Sequence, residues 1–396
     1  MHDTGSISQN KTRNLFTRDF ILVFVAFFAF MAAVSCLSPT FPVYLKRLGS
    51  SEREIGVLIG VLAVASLASR LFVGGALLKY RAKSVMMVGA LGAAITFLAY
   101  IVLHPFWPLF VVRLLQGVAW ACIDTAAFAS IINAIPLAYR GRAIGYFSLA
   151  PSLAMAMAAP FGMFLINQFS FTVLFLSCAG LSFCTLFLYW KVKEPEVSTP
   201  SQADAARSPS FLNVKIIAPA ITSLVQLFVW GAVAAFFPLY AIQCGVTNPG
   251  LFFSAMAISM IAGRLFGGKI FDNFNKEKLM MTCFFIVMVA LIILSLSRTL
   301  PMFIVVGSFW GIGAAFLLPV SMTYAFEYAG TSDGAAVGTF RAFSDFGLGI
   351  GPVAIGIILP LTGYPLTFRC LALIVLLNMS YFHFYVRERH NAAPTV

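Results

Sequence analysis

The chain has 396 residues, of which 60% are hydrophobic and only 10% charged, and it carries a formal net charge of +12. A soluble domain of this length needs far more charge on its surface. The strands of a membrane barrel alternate apolar and polar residues over about 10 positions, and the sequence shows no such alternation. These properties argue against both classes and predict an all-α membrane protein.

Twelve apolar runs follow one another along the chain. Each is long enough to cross the hydrocarbon core of a bilayer as a helix, which takes about 20 residues. The first run follows a polar N-terminal stretch and lacks a convincing small-residue cleavage site, so we interpret it as an uncleaved span rather than a signal peptide. The predicted spans, numbered 1 to 12, lie near residues 18–46, 53–78, 84–103, 107–135, 142–167, 170–190, 213–242, 250–271, 279–297, 301–328, 336–361 and 365–386.

Lys and Arg are distributed unevenly between the loops. With the N-terminus placed in the cytoplasm, 17 of them fall in the inner tails and loops and five at the outer ends of the spans. Because cytoplasmic loops are enriched in Lys and Arg, we predict that both termini are cytoplasmic, in the inner membrane of a bacterial cell. The same distribution explains the positive charge, so we expect no nucleic-acid partner.

Residues 191–212 interrupt the apolar pattern. The stretch contains Pro195, Pro200 and Pro209, several Ser and charges of both signs, a composition typical of a flexible linker. We therefore predict an N-terminal six-helix bundle at 1–190, a cytoplasmic linker at 191–212 and a C-terminal six-helix bundle at 213–396.

The two predicted halves share an internal repeat. Phe-Pro-Val-Tyr at 41–44 in span 1 recurs as Phe-Pro-Leu-Tyr at 237–240 in span 7, which is 196 residues later. Arg-Leu-Phe at 70–72 in span 2 recurs at 264–266 in span 8, which is 194 residues later. These matches on equally numbered spans indicate two parallel repeats related by a pseudo-two-fold axis along the membrane normal.

A third match supports the same relation, because Gly117 of span 4 falls on Gly311 of span 10 at the offset of 194 residues. Transporters built from such repeats bind their solute near the bilayer midplane, between the halves. The alternative is a duplicated protein with no transport activity, such as a passive scaffold.

Two motifs connect this repeat with a known family. Arg113 and Gly117 form an Arg-x-x-x-Gly motif in span 4, and loop 8–9 carries Gly268 and Asp272 followed by basic residues. Over nearly its full length the chain thereby resembles the major facilitator superfamily, in particular its 12-span drug-efflux-like branch. The resemblance implies 12 transmembrane helices in two pseudo-symmetric six-helix bundles, and a secondary active transporter that works by alternating access rather than an enzyme.

In that family, the loop between spans 2 and 3 carries a signature: a Gly, three further residues, an acidic residue, and then basic residues and another Gly. This element helps to latch the cytoplasmic side shut. Loop 2–3 departs from the family pattern here, because Leu78 stands where an acidic residue is expected. Spans 5 and 11 contain segments similar to the family's Gly-Pro motif, in which proline allows a helix to bend. The basic residues in these loops have an equally good explanation that involves no gating, because cytoplasmic loops are rich in Lys and Arg in any case. The gating candidates are Gly74, Lys79, Arg81, Pro160, Gly268, Asp272 and Pro352.

Span 4 carries a polar stripe in an otherwise apolar helix. Arg113, Gln116, Trp120 and Asp124 share one face, because eleven residues make almost three whole turns. An Arg at bilayer depth costs about 2.5–3.5 kcal/mol on insertion scales, so we expect Arg113 to face a water-filled cavity or a carboxylate. The alternative is a buried Arg113–Asp124 pair that only holds helices together.

Three of the 14 carboxylates, Asp124, Glu327 and Asp345, fall inside predicted spans. A carboxylate in a low-dielectric site holds a proton more readily than one in water, so these residues are the candidates for proton coupling. Asp345 follows Arg341 by four residues, which places both on one helix face. Such a pair could exchange partners when Asp345 is protonated, or it could be a static ion pair.

Several aromatic residues, Trp310 among them, could line a cavity for an amphipathic ligand, although such residues more often pack inside the protein or at the membrane interface. Gln226 precedes Trp230 by one turn, which draws attention to that face of span 7. The candidates for the substrate cavity are Tyr44, Arg113, Gln116, Trp120, Gln226, Trp230, Tyr240 and Arg341.

Two transport functions fit these features. The first is proton-coupled export of a small amphipathic or drug-like compound, and the second is proton-coupled uptake of a small metabolite such as an organic acid or sugar. A membrane enzyme or a nucleotide-driven pump lacks support, because the sequence has neither a phosphate-binding loop nor a Cys/His cluster. We expect no cofactor and no metal, a monomer, and a small-molecule substrate, protons and the lipid bilayer as partners.

Overall fold

The computed structural model describes residues 17–135, 140–193, 213–267, 275–330 and 334–387. These ranges are almost entirely helical. Helices α1 to α10 are Arg18–Arg47, Glu52–Lys79, Ala82–Val102, Phe106–Ala134, Leu149–Gln168, Phe171–Trp190, Ile217–Gln243, Gly250–Phe266, Lys276–Leu296 and Leu300–Ala329. A short helix, Arg140–Phe147, leads into α5.

The last helical stretch, Gly334–Tyr381, is broken at Gly363, whose φ of 68° is non-helical. We number its two arms α11 (334–362) and α12 (364–381), and the π-helical turn Phe382–Val386 extends α12. A left-handed backbone conformation carries little penalty at glycine. The break therefore separates two helices that cross the membrane in opposite directions.

The predicted twelve-span architecture is confirmed. In the described ranges, nine helices are by length and composition able to cross a membrane. One of these nine is the stretch that Gly363 divides into α11 and α12, α2 qualifies when its 41° bend is allowed for, and α8 is a shorter apolar helix. Each predicted span therefore has a helix with the same number. The predicted linker lies outside the described residues from 194 to 212.

The predicted repeat is visible in equivalent contacts of the two halves. Gly117 of α4 packs against the carbonyl of Leu62 in α2, and Gly311 of α10 packs against the carbonyl of Met256 in α8. Both pairs are related by the offset of 194 residues. The absence of a side chain lets two helices approach closely at these points. Both halves therefore use the same glycine for the same helix contact.

The turns after α1 and α7 are equivalent in the same way. Gly49 and Gly245, which are 196 residues apart, have φ values of 84° and 83°. The hydroxyl of Tyr44 donates to the carbonyl of Tyr100 at the end of α3, and the hydroxyl of Tyr240 donates to the carbonyl of Ser297 after α9. The repeated tyrosines therefore tie each first helix to the third helix of its own half.

We call the end of the bundle that carries Arg18 and Val386 the inner end, in line with the predicted topology, and the opposite end, with Arg47 and Phe106, the outer end. The two halves meet chiefly through α2 with α11 and α5 with α8. Small residues bring these helices together in their outer parts. A Cβ added at Gly60 would lie 2.2 Å from the carbonyl oxygen of Gly349.

The other seam is equally close, since a Cβ added at Gly250 would lie 2.5 Å from the carbonyl oxygen of Ala159. Toward the inner end the same helices line a cavity of about 670 Å³, with Arg142 and Tyr146 before α5 on one wall and Arg264 of α8 on the other. The two halves are thus packed together at the outer end, and at the inner end this cavity lies between them on the side of α5 and α8.

The outer seam predicts a specific effect of added volume. Gly60→Leu is expected to force α2 away from α11 and to open the outer end, because two helix backbones meet where the side chain would stand. Ser38 lines a cavity beneath this seam. A Ser38→Cys reporter in a cysteine-free background should react faster with a membrane-impermeant thiol reagent added from outside.

Gly75→Leu is the matched control on the same helix, because a Cβ at Gly75 would meet no atom within 4 Å. We expect it to leave the labelling rate unchanged. Equal rates in the two glycine variants would show that the seam does not close the outer end.

Candidate functional site

A cluster of three charged side chains joins the two halves. Arg70 of α2 donates from Nη1 to Oδ2 of Asp124 in α4 at 2.8 Å, and its Nε lies 2.9 Å from Oδ2 of Asp345 in α11. The second contact is an ion pair without the alignment of a hydrogen bond. The three side chains are 26%, 19% and 18% exposed, so solvent screens them only in part.

The pairing differs from both sequence-based alternatives. Asp124 pairs with Arg70 rather than with Arg113, and Asp345 also pairs with Arg70, although Arg341 stands one turn before it. Arg70 was missed as a site residue because its partners lie on helices far away in sequence. The available signal was its position in an apolar span together with its recurrence as Arg264.

Arg113 lies in a second polar group and is only 6% exposed. Its Nε donates to the carbonyl of Leu58 at 2.7 Å, and its Nη1 donates to Oε1 of Gln116 at 2.8 Å. The hydroxyl of Tyr100 donates to the same amide oxygen at 2.6 Å. The guanidinium carbon lies 4.3 Å from the ring centroid of Phe41, a cation–π distance. Among the described residues, the charge is thus compensated without a carboxylate.

Arg113, Gln116 and Trp120 line one cavity of about 190 Å³, as the polar stripe predicts, whereas Asp124 is not among its lining residues. The opposite wall includes Trp230 of α7 and Pro352 of α11. We call this space the outer cavity. It lies between the two halves, at the level where the tightly packed outer seam begins.

A second space, the central cavity, has a volume of about 260 Å³ and lies mainly within the C-terminal half. Gln226 and Trp230 of α7 line it, together with Trp310 of α10. The two indole rings meet edge to face, with 6.0 Å between their centroids. Most of the remaining wall is aliphatic or Met, so the cavity offers chiefly apolar surface to a solute.

The three cavities follow one another through the bundle. Trp230 lines both the outer and the central cavity. Arg264 and Leu318 line both the central cavity and the large cavity at the inner end, which we call the inner cavity. Arg341 also lines the inner cavity. The shared walls place the three cavities in a row from the inner end toward the outer seam, and we call this row the route.

Other sequence candidates lie away from these cavities. Tyr44 and Tyr240 are buried and hydrogen-bonded to helix-end carbonyls. They therefore pack inside the protein and line none of these three cavities. Glu327 forms an ion pair with Lys276 at the inner end, where its side chain is 48% exposed. Surface ion pairs of this kind contribute little to stability.

The gating candidates occupy different positions. Lys79 and Arg81 are exposed at the inner end, and Gly74 faces open space. The carbonyl of Pro160 accepts from Nδ2 of Asn248 at 3.2 Å, which ties α5 to the start of α8. Pro352 lies on the α2–α11 seam, where its carbonyl faces Gly56. Gly268 and Asp272 lie outside the described residues.

Comparison with known proteins agrees with this architecture. The chain is 22% identical over 377 residues to the staphylopine export protein of Staphylococcus aureus, covering 91% of this chain and 94% of the relative. It is 25% identical over 370 residues to the multidrug resistance protein MdtG of Klebsiella pneumoniae, covering 88% of this chain and 89% of the relative. The relatives are transporters rather than enzymes, and the chain is no enzyme either.

Among solved structures, the nucleoside transporter NupG matches with a TM-score of 0.75 and 14% sequence identity, covering 93% of this chain and all of that one. This likeness establishes the fold. The family model of the Major Facilitator Superfamily matches residues 23–297 and 220–395. The predicted resemblance is therefore confirmed, and the chain is a multi-pass membrane protein of the Major Facilitator Superfamily, a secondary transporter similar to the drug-efflux members of that family.

Proposed function

We propose that this transporter exports a small amphipathic compound in exchange for protons across the inner membrane of a bacterial cell. The names of the relatives, an export protein and a multidrug resistance protein, support export over uptake. The excess of Lys and Arg in the inner loops supports cytoplasmic termini. The protein acts as a monomer of two halves, 1–190 and 213–396, joined by the linker at 191–212.

The observation that carries the proposal is the Arg70 bridge. Arg70 and Asp124 belong to the N-terminal half, whereas Asp345 belongs to the C-terminal half. The contact between Arg70 and Asp345 therefore crosses the boundary along which the halves move in alternating access. Two carboxylates share one guanidinium, so the cluster has one net negative charge that a single proton neutralises.

Proton binding can in this way change the contact between the halves. When Asp345 takes up a proton, it loses its charge, and the attraction that holds α11 to Arg70 weakens. Arg70 keeps its pairing with Asp124 within the N-terminal half. The inner parts of α2 and α11 are then free to separate, and release of the proton restores the bridge. Arg341, one turn before Asp345 on α11, is an alternative partner for that carboxylate.

The cavities support an amphipathic solute. The walls of the outer and central cavities are mostly aliphatic and aromatic, with a few polar groups such as Gln116 and Gln226. Small-molecule sites have this character in general, with apolar surface supplying affinity and few polar groups fixing orientation. The inner cavity gives such a solute access from the cytoplasmic side, which is where an exporter collects it.

The proposal predicts the effect of neutralising the bridge. We expect Asp124→Asn and Asp345→Asn each to abolish proton-coupled transport. An amide side chain does not exchange a proton near neutral pH, and it carries no negative charge to pair with Arg70. The assay is a substrate screen in inside-out vesicles with an imposed pH gradient, in which solute flux and internal pH are followed together.

Glu327→Gln is the matched control, since it removes a carboxylate from the inner end that lies outside the cavities. It should leave coupling intact. Unchanged coupling in Asp345→Asn would remove the bridge from the mechanism, and solute movement into the cytoplasm driven by the same gradient would indicate uptake instead of export.

The bridge also predicts a change in stability. Arg70→Gln leaves Asp124 and Asp345 without their shared cation, and we expect a loss of about 1.5–3 kcal/mol, the usual value of hydrogen bonds to charged groups. Adding Asp124→Asn to Arg70→Gln should recover part of this loss, because it removes one of the two uncompensated charges.

The measurement is thermal unfolding of the purified protein in detergent, with Arg53→Gln as a control for removing an exposed arginine. If Arg70→Gln unfolded at the temperature of the control, the bridge would have no energetic role in this conformation.

A further inference from the structure

The repeat places two arginines in equivalent positions that differ in their surroundings. Arg70 of α2 contacts Asp124 and Asp345. Arg264 of α8 is its counterpart at the offset of 194 residues, and at the same offset the counterpart of Asp124 is Leu318. Leu318 lines the same two cavities as Arg264. The first carboxylate partner is therefore replaced by an aliphatic side chain.

The second carboxylate partner is missing as well. The α5 residues that correspond to Asp345 at offsets of 194 and 196 are Pro151 and Leu149. Pro151 lines the central cavity and Leu149 the inner cavity. Within the described part of the chain, the one hydrogen bond of Arg264 runs from its Nε to the carbonyl of Ala315 at 3.4 Å, and no carboxylate pairs with it. A permanently charged guanidinium thus faces the route without a counterion from any residue that the structure describes.

The charge around this route has one sign. Arg142 and Arg341 line the inner cavity together with Arg264, and neither the inner nor the central cavity has a carboxylate among its described lining residues. A cleft with charges of one sign and low-dielectric walls concentrates ions of the opposite sign. The mouth of the route therefore attracts anions from the inner side.

The central cavity contains polar atoms that also lack a partner. Oδ1 of Asn378, whose side chain is 96% buried, and Oε1 of Gln226 are both inaccessible to solvent and make no hydrogen bond within the described residues. Nδ2 of Asn378 donates to the carbonyl of Thr222 at 3.3 Å, and both Asn378 and Gln226 are among the residues that line the cavity. Buried polar atoms normally have a partner, and a solute that carries a hydroxyl or N–H group would supply one.

We propose that the central cavity binds an amphipathic organic anion whose charged group pairs with Arg264. The apolar or aromatic body of the solute lies against Trp230 and Trp310, and its hydrogen-bond donor meets Gln226 and Asn378. Broken symmetry is the reason for this specificity, because one arginine of the repeat is used to join the halves and the other is left for the solute. The inference rests on the proposed transport function and names its substrate class.

The test uses three naphthalene derivatives of nearly equal size that differ in charge, namely 1-hydroxy-2-naphthoate, 1-hydroxy-2-naphthamide and 1-naphthylmethylammonium. Binding to the purified full-length protein is measured by calorimetry without any ion gradient. We expect the anion to bind at least about tenfold more tightly than the neutral amide, the ratio that one charge-assisted hydrogen bond supports, and the cation to bind most weakly.

Two variants remove the free charge in different ways. Arg264→Gln deletes it, and Leu318→Asp supplies the counterion that Arg70 has in the other half. Both should bring the anion-to-amide ratio close to one. Arg53→Gln, which removes an exposed arginine outside the cavities, should keep the wild-type ratio. If Arg264→Gln does not fold, Leu318→Asp decides, because it retains the arginine.

Equal binding of anion and amide by the wild type, or preference for the cation, would overturn the proposed substrate class. Preference for the anion that survives in the folded Arg264 or Leu318 variant would show that another residue binds the charge. Neither result bears on proton coupling, because the binding assay uses no gradient. Conversely, the coupling measured in vesicles tests the Arg70 bridge and not the binding of the anion. We therefore expect Asp345→Asn to lose proton coupling and to keep the preference for the anion.

Discussion

The compensation of arginine charge inside the membrane is the constraint on which the rest of this structure depends. A guanidinium stays protonated in proteins, and hydrocarbon cannot solvate it. Arg70 meets this constraint with two carboxylates, and Arg113 meets it with a carbonyl, an amide and an aromatic face. Among the described residues, Arg264 has one backbone carbonyl as its hydrogen-bond partner, and it lines two cavities. The three arginines therefore differ in which groups compensate their charge.

The seam between α2 and α11 combines two kinds of contact with different sensitivities. At the outer end, Gly56 and Gly60 meet backbone carbonyls of α11 at close range, and such contacts depend only on shape. Toward the inner end, Arg70 meets Asp345, and this contact depends on charge. In the proposed mechanism, one proton changes the second contact and leaves the first unaffected, so protonation would act on the inner end of the seam alone.

The two halves keep the same residues at helix contacts but differ in their charged residues. Gly117 and Gly311 make the same contact in both halves, and Gly49 and Gly245 form the same turn. Arg70 and Arg264 also occupy equivalent positions, but the carboxylate of Asp124 is replaced by the aliphatic side chain of Leu318. Two copies of one fold thus place one arginine between two carboxylates, and the other beside the route with no carboxylate partner in the part of the chain that the structure describes.

The sequence alone determined the number of spans, the repeat and the common face of Arg113, Gln116 and Trp120, because length, hydropathy and helical period act within a single segment. Only the tertiary structure decided that Arg70 pairs with Asp124 and Asp345, and that Arg264 has no carboxylate partner among the described residues. Pairing between helices depends on which faces meet and how far a long side chain reaches. Neither quantity follows from a local period, since it is set when helices from distant parts of the chain pack together.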